Sequence, residues 1–140
     1  MPELLSIQKF IPENEQTLFS PSLKIHQKHP TGYETIKSYM EREYEVPKNL
    51  NDFAYVSQLL QARGMKLAIE AQRAAKPYNM GSLYWQLNDC WPVSSWSGID
   101  YYGVQKALHY AVKKAFKPVL ISVKQEAEGF KTTLVSDLLK

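Results

Sequence analysis

GSLYWQLNDCWPVSSW, residues 81–96, is the stretch on which the reading of the fold turns. Gly81, Leu83, Trp85 and Leu87 alternate with Ser82, Tyr84 and Gln86 over a run too short for a helix, which predicts a β-strand. The polar set is not fully solvent-like, so the strand is expected to be covered on both faces, as strands of a parallel sheet are. Upstream, residues 53–75 carry Phe53, Val56, Leu59, Leu60, Ala68, Ile69 and Ala71 at the spacing of a buried helix face. Asn51 and Asp52 are available to cap that helix, and Gly64 marks a bend or a close contact within it. Downstream of the loop 88–103, Val104, Ala107, Leu108, Ala111, Val112, Ala115 and Phe116 describe an amphipathic helix that Pro118 stops. Helix, strand, long loop, helix is the rhythm of a parallel α/β fold. In barrels of that class the loop after a strand carries the chemistry.

The flanks add detail. Pro2 and Glu3 suit a first helical turn before Leu4, Leu5 and Ile7, and a helix at the first residue leads us to expect chain upstream of Met1. IPENEQTLFSPS, residues 11–22, reads as a loop with Pro12 and Pro21 at its ends. In residues 22–30, SLKIHQKHP, His26 and His29 are expected on the solvated face of a short helix; they have no third ligand nearby for a metal. Thr31 and Glu34 have capping-box spacing ahead of Ile36, Tyr39, Met40 and Tyr44. The last residues, VLISVKQEAEGFKTTLVS, predict two strands about a turn containing Gly129, a change of character that marks the start of another, all-β domain.

Composition narrows the function. The 140 residues are 44% hydrophobic and 22% charged, the profile of a globular chain, with a net charge of +3 and no basic block of the kind nucleic acids select. A single cysteine, Cys90, rules out an internal disulfide framework. No run of about 18 apolar residues offers a membrane span, and MPELLSIQKF lacks the form of a signal peptide. Neither nucleic acid nor membrane is an expected partner, and no metal or cofactor motif is present.

Every tryptophan of the chain falls between residues 85 and 96. A pyranose has an apolar C–H face and a rim of hydroxyls, so its site needs a flat aromatic platform beside short polar side chains. Trp85, Gln86, Asn88 and Asp89 supply that chemistry where the strand runs into the loop. Packing is the competing use: Trp91 and Trp96 can wedge the loop against helices, and Trp85 suits either role by composition.

The run MGSLYWQLNDCWPVSSWSGIDYYG, with KALHY and FKPVLISV after it and TIKSYMEREYEVP and LQARGM before it, resembles the β-mannosidases of glycoside hydrolase family 2 around their last barrel strand. Trp85-Gln86-Leu87-Asn88-Asp89 followed by Trp91-Pro92 separates this group from β-galactosidases and β-glucuronidases, and the resemblance covers nearly the whole chain. One departure is Gln105, where mannosidases usually carry Trp. The resemblance implies the carboxyl-terminal portion of a (β/α)8 TIM barrel over residues 1–117. This would be mostly helical with one barrel strand, running into the first strands of an immunoglobulin-like β-sandwich over residues 118–140. It implies a retaining exo-hydrolase of terminal β-mannosides acting without a cofactor, with Trp85 as mannose platform, Asn88 and Asp89 shaping the subsite, and Trp91 as support. The partner is a β-mannoside or mannose-containing oligosaccharide, and the rest of the barrel would come from upstream chain.

Retaining glycosidases need two carboxyl groups about 5–5.5 Å apart. The resemblance places both catalytic Glu residues upstream of Met1, so no catalytic residue is assigned here. Asp89 and Asp100 share the loop, but their spacing fixes no distance, and Glu70 is expected to be solvated or paired with Arg73. A non-catalytic sugar-binding module, an inactive remnant and another family 2 enzyme such as an exo-β-glucosaminidase are the alternatives. A lone barrel strand leaves an unpaired edge, so low stability or association is expected of the chain by itself.

Overall fold

The computed structural model describes residues 1–138. In chain order it contains α1 (Leu4–Ile7), a 3-10 turn (Glu13–Glu15), α2 (Pro21–Ile25), α3 (Gly32–Glu43), α4 (Leu50–Ala74), α5 (Ala107–Ala115), β1 (Val119–Glu126) and β2 (Gly129–Ser136). Helix α4 is the spine. Its amino end is capped by Asn49, whose side-chain oxygen accepts from the Asp52 amide at 2.9 Å while its amide nitrogen donates to the Asp52 carboxylate at 2.8 Å. The cap thus falls before Asn51 and the helix starts earlier than the apolar spacing alone suggests, because Leu50 already turns inward.

At that end Phe53 and Ala54 close a core with Met1, Ile7, Ile11, Leu23, Tyr33, Met40 and Leu50. At the other end Ile69 packs with Leu108, Val112 and Ala115 of α5, flanked by Met65 and Tyr84. Ala68 and Ala71 lie on the exposed side, as does Phe116 after α5. Gly64 has open space where a Cβ would stand, and α4 runs unbroken through it, so it serves neither a close contact nor an interruption.

Two caps differ from expectation. Thr31 occupies the N-cap of α3, but its hydroxyl bonds His29 Nδ1 at 3.2 Å rather than the helix, and the Tyr33 amide is satisfied by the Gln27 side chain at 3.1 Å. His26 and His29 fall just past α2 and are tied into different loops, His26 to the Pro92 carbonyl at 2.7 Å.

Residues 81–87 belong to no ladder and bend at Trp85 and Leu87, so the single barrel strand expected there is not formed as a strand. The reason is the absence of a partner: a strand is defined by interstrand hydrogen bonds, and among the described residues the only sheet is the antiparallel pair β1–β2. The alternation itself survives. Leu83, Trp85 and Leu87 point outward while Tyr84 turns in toward Ile69.

The hairpin pairs Val119 with Ser136 through to Glu126 with Gly129, whose φ of 138° suits a residue without a Cβ. Leu120, Ser122 and Val135 face inward, and Ile121, Val123 and Leu134 face out. Arg73, at the end of α4 and 6% exposed, anchors it: the guanidinium donates to the carbonyls of Ala115 and Lys117 and, at 2.6 Å, to Asp137, which Lys76 also meets. Asp137 in turn donates its amide to the Pro118 carbonyl at 2.8 Å, so the two ends of the hairpin are joined. Glu70 is buried and pairs with Lys66 at 3.2 Å, leaving Arg73 to this clasp.

Candidate functional site

Trp85 is 76% exposed on the outward side of residues 81–87. Beyond it the chain folds back tightly. Gly98 donates its amide to the Gln86 carbonyl at 3.0 Å, Ile99 to Leu87 at 2.8 Å, and Lys106 to Gly98 at 2.9 Å, so that residues 86–88, 98–99 and 105–106 lie side by side. The Gln86 side chain is committed within the loop, accepting from Trp96 Nε1 at 3.2 Å and donating to the Asn88 carbonyl at 2.6 Å.

Asn88 and Asp89 take opposite positions. Asn88 is exposed, whereas Asp89 is buried, with one carboxylate oxygen accepting from Ser95 at 2.6 Å and the other from Ser97 at 2.5 Å. Lys106 lies 3.5 Å from the same carboxylate and donates to Ser97 Oγ at 2.7 Å. Burial pulls the Lys106 pKa down and the Asp89 charge opposes that pull. Asp100 is buried too, with one oxygen accepting from the Tyr102 and Val104 amides, both at 2.9 Å. Asp89 is thus held at both oxygens by the loop, whereas the second oxygen of Asp100 is buried without a hydrogen-bond partner among the described residues.

The other tryptophans hold the loop to the helical body. Trp91 packs against the His26 ring, which packs in turn at a tilt on Phe10, at centroid distances of 5.7 and 4.9 Å. The Trp96 carbonyl accepts from Gln61 of α4 at 2.6 Å, and Ser94 meets the Tyr33 hydroxyl at 2.7 Å, where burial pushes the phenol pKa up to about 12. Gln58 caps α5 by accepting from the Ala107 amide at 3.0 Å. A cavity of about 450 Å³ opens between α3, α4 and residues 94–96, walled by Tyr33, Ile36, Tyr39, Leu60 and Trp96. Trp85, Asn88 and Asp89 lie outside it, and its apolar wall has few partners for hydroxyls.

Sequence reasoning overlooked Lys106 and Ser97. Lys106 stands one residue ahead of the apolar positions of α5, where a lysine reads as a solvated face, and only its neighbours in space show otherwise.

No family model matches the chain. β-Mannosidase B of Aspergillus niger is 31% identical over 137 residues, 94% of this chain and 16% of that protein, and β-mannosidase of Capra hircus is 30% identical over 133 residues, 85% of this chain and 15% of that protein. The crystal structure of β-D-mannosidase from Dictyoglomus thermophilum superposes with a TM-score of 0.95 at 36% identity, covering 99% of this chain and 17% of the other. The chain is β-mannosidase-like. The match holds in sequence and in fold, and the β-mannosidase-like chain spans about a sixth of the length of these relatives. The exposed Trp85 and its folded-back loop therefore sit in a chain whose relatives are named as glycosidases.

Proposed function

We propose that the chain supplies part of the sugar-binding site of a retaining exo-β-mannosidase of glycoside hydrolase family 2, acting on terminal non-reducing β-D-mannose. In this reading residues 1–117 are the end of a (β/α)8 barrel and residues 118–140 the start of an immunoglobulin-like sandwich. Residues 81–87 are the barrel strand, which would gain its ladder from strands outside this chain. The exposed Leu83 and Leu87 support this, since apolar side chains on a segment that forms no ladder are what a neighbouring layer would cover.

The observation that carries the proposal is the exposed Trp85 indole at the root of a loop in which Gln86 and Asp89 are committed to partners within the loop. The apolar face of the terminal mannose stacks on Trp85, and the exposed Asn88 amide both donates to and accepts from hydroxyls at its rim. Asp89 shapes the subsite from below by holding Ser95 and Ser97. The two catalytic carboxyls come from glutamates upstream. Asp89 supports that assignment, because a nucleophile and an acid/base must reach the glycosidic bond and both its oxygens are engaged by the loop itself.

The test is calorimetric titration of mannose and mannobiose into the chain and its Trp85→Ala variant. Binding by the parent and its loss in the variant is expected; equal binding by both would sink the platform. Carried in a polypeptide that supplies the two upstream glutamates, the chain is expected to support release of mannose from an aryl β-mannoside, with Trp85→Ala lowering kcat/KM.

A further inference from the structure

Lys106 is a costly group to bury. Its side chain is almost wholly covered, and a methionine would fill the same space without desolvating a charge. The role of the charge is visible in its partners. The Lys106 ammonium donates to Ser97 Oγ, which donates to Asp89, and Asp89 also accepts from Ser95. The three side chains come from the three segments that lie side by side: Asp89 follows the Gln86–Asn88 segment, Ser97 precedes Gly98, and Lys106 ends the third. Gly98 is also the backbone bridge, donating to Gln86 and accepting from Lys106. A one-residue slip of any segment would break the buried chain of hydrogen bonds, so the network specifies a single register. Gln86, whose carbonyl is held in that register, is bonded directly to Trp85.

We propose that Lys106, acting through Ser97 and Asp89, is a positioning residue that fixes the register of the loop and thereby the orientation of the Trp85 indole. The proposal deepens the sugar-platform reading and rests on it for its functional meaning. It assigns to Lys106 no contact with sugar. Its effect is transmitted through the Gly98 to Gln86 hydrogen bond, with Trp96 sharing it through the Gln86 side chain.

The three tryptophans allow a direct test in the full chain labelled with 5-fluorotryptophan, which yields three fluorine resonances assigned by single Trp→Phe changes. Ser97→Ala and Lys106→Met are each expected to shift or broaden the Trp85 and Trp96 lines and to leave Trp91, which packs on His26, in place. Ser97→Thr, which keeps the hydroxyl, is expected to restore them. Mannobiose affinity is expected to fall about tenfold in Ser97→Ala, a loss readily resolved by titration. An unaltered Trp85 line in both variants overturns the proposal, as does uniform collapse of all three lines in both. If the parent chain binds no sugar while the Trp85 line still moves in the variants, the positioning role stands and the sugar reading falls instead.

Discussion

Around Phe53, near the start of α4, side chains from α1, α2, α3 and the intervening loops close over one another, whereas around Ile69 only three residues of α5 complete the buried cluster. The second end is instead finished by Arg73, which reaches the carbonyls of Ala115, at the end of α5, and Lys117, just past it, and the Asp137 carboxylate beyond the hairpin. One end is held by area removed from water, the other by directed polar contacts to a small apolar patch. The difference lies in the means of closure: the end near Phe53 builds a core from several elements, while the end that carries the hairpin has a four-residue buried cluster completed by the Arg73 clasp.

The largest effect should come from the apolar end. Phe53→Ala is expected to cost about 3–5 kcal/mol, read as a drop in the urea midpoint, since a fully buried ring leaves a cavity that its neighbours fill only in part. A loss well under that would mean the core near Phe53 is loosely packed and the contrast with the other end is false.

Arg73→Ala should cost less, about 2–3 kcal/mol for the loss of charge-assisted hydrogen bonds, and amide exchange should rise in β1 and β2 while α1 to α3 keep their protection. Equal loosening at both ends would contradict the division. Asn49→Ala removes the α4 cap for about 1 kcal/mol. Gly64→Ala runs the other way: nothing stands within 4 Å of the added methyl, so the helix should gain about 1 kcal/mol.

Acid offers a subtler probe of the clasp. Lys76 and Arg73 hold the Asp137 pKa below its ordinary value of 3.8, with the Lys76 hydrogen bond the largest cause. A carboxylate depressed in the fold contributes stability above its unfolded pKa and loses it as pH falls through the folded value. Protection factors in the hairpin, which correct for the intrinsic exchange rate at each pH, should therefore fall below about pH 3.8, and Asp137→Asn should remove that dependence. If the variant keeps the same acid limb, Asp137 is not the group responsible.

Much of the fold was legible in the chain as a string of residues. The apolar spacing of residues 53–75 and 104–116 located α4 and α5 to within a few residues, because helix faces are set by local periodicity. The hairpin about Gly129 was equally plain. Caps were read less well. Thr31 has the right neighbours for a capping box, yet a bond to His29 competes for its hydroxyl, and sequence spacing cannot rank two partners of similar strength. In the candidate site, Trp85, Asn88 and Asp89 were singled out by residue type, but their opposite exposures were not, since Asp89 is drawn inward by Ser95, Ser97 and Lys106, the last of them 17 positions along the chain.

The sequence by itself determined the elements and the concentration of aromatic and polar groups after residue 84, because both depend on residues near one another along the chain. Only the tertiary structure decided which of those groups face outward, and that Lys106 is buried beneath them. Burial depends on the groups that lie across from a side chain, and the partners that settle it here arrive from distant segments. The same holds for residues 81–87, whose alternation is local and visible, and whose ladder requires backbone partners that no pattern within the segment can supply.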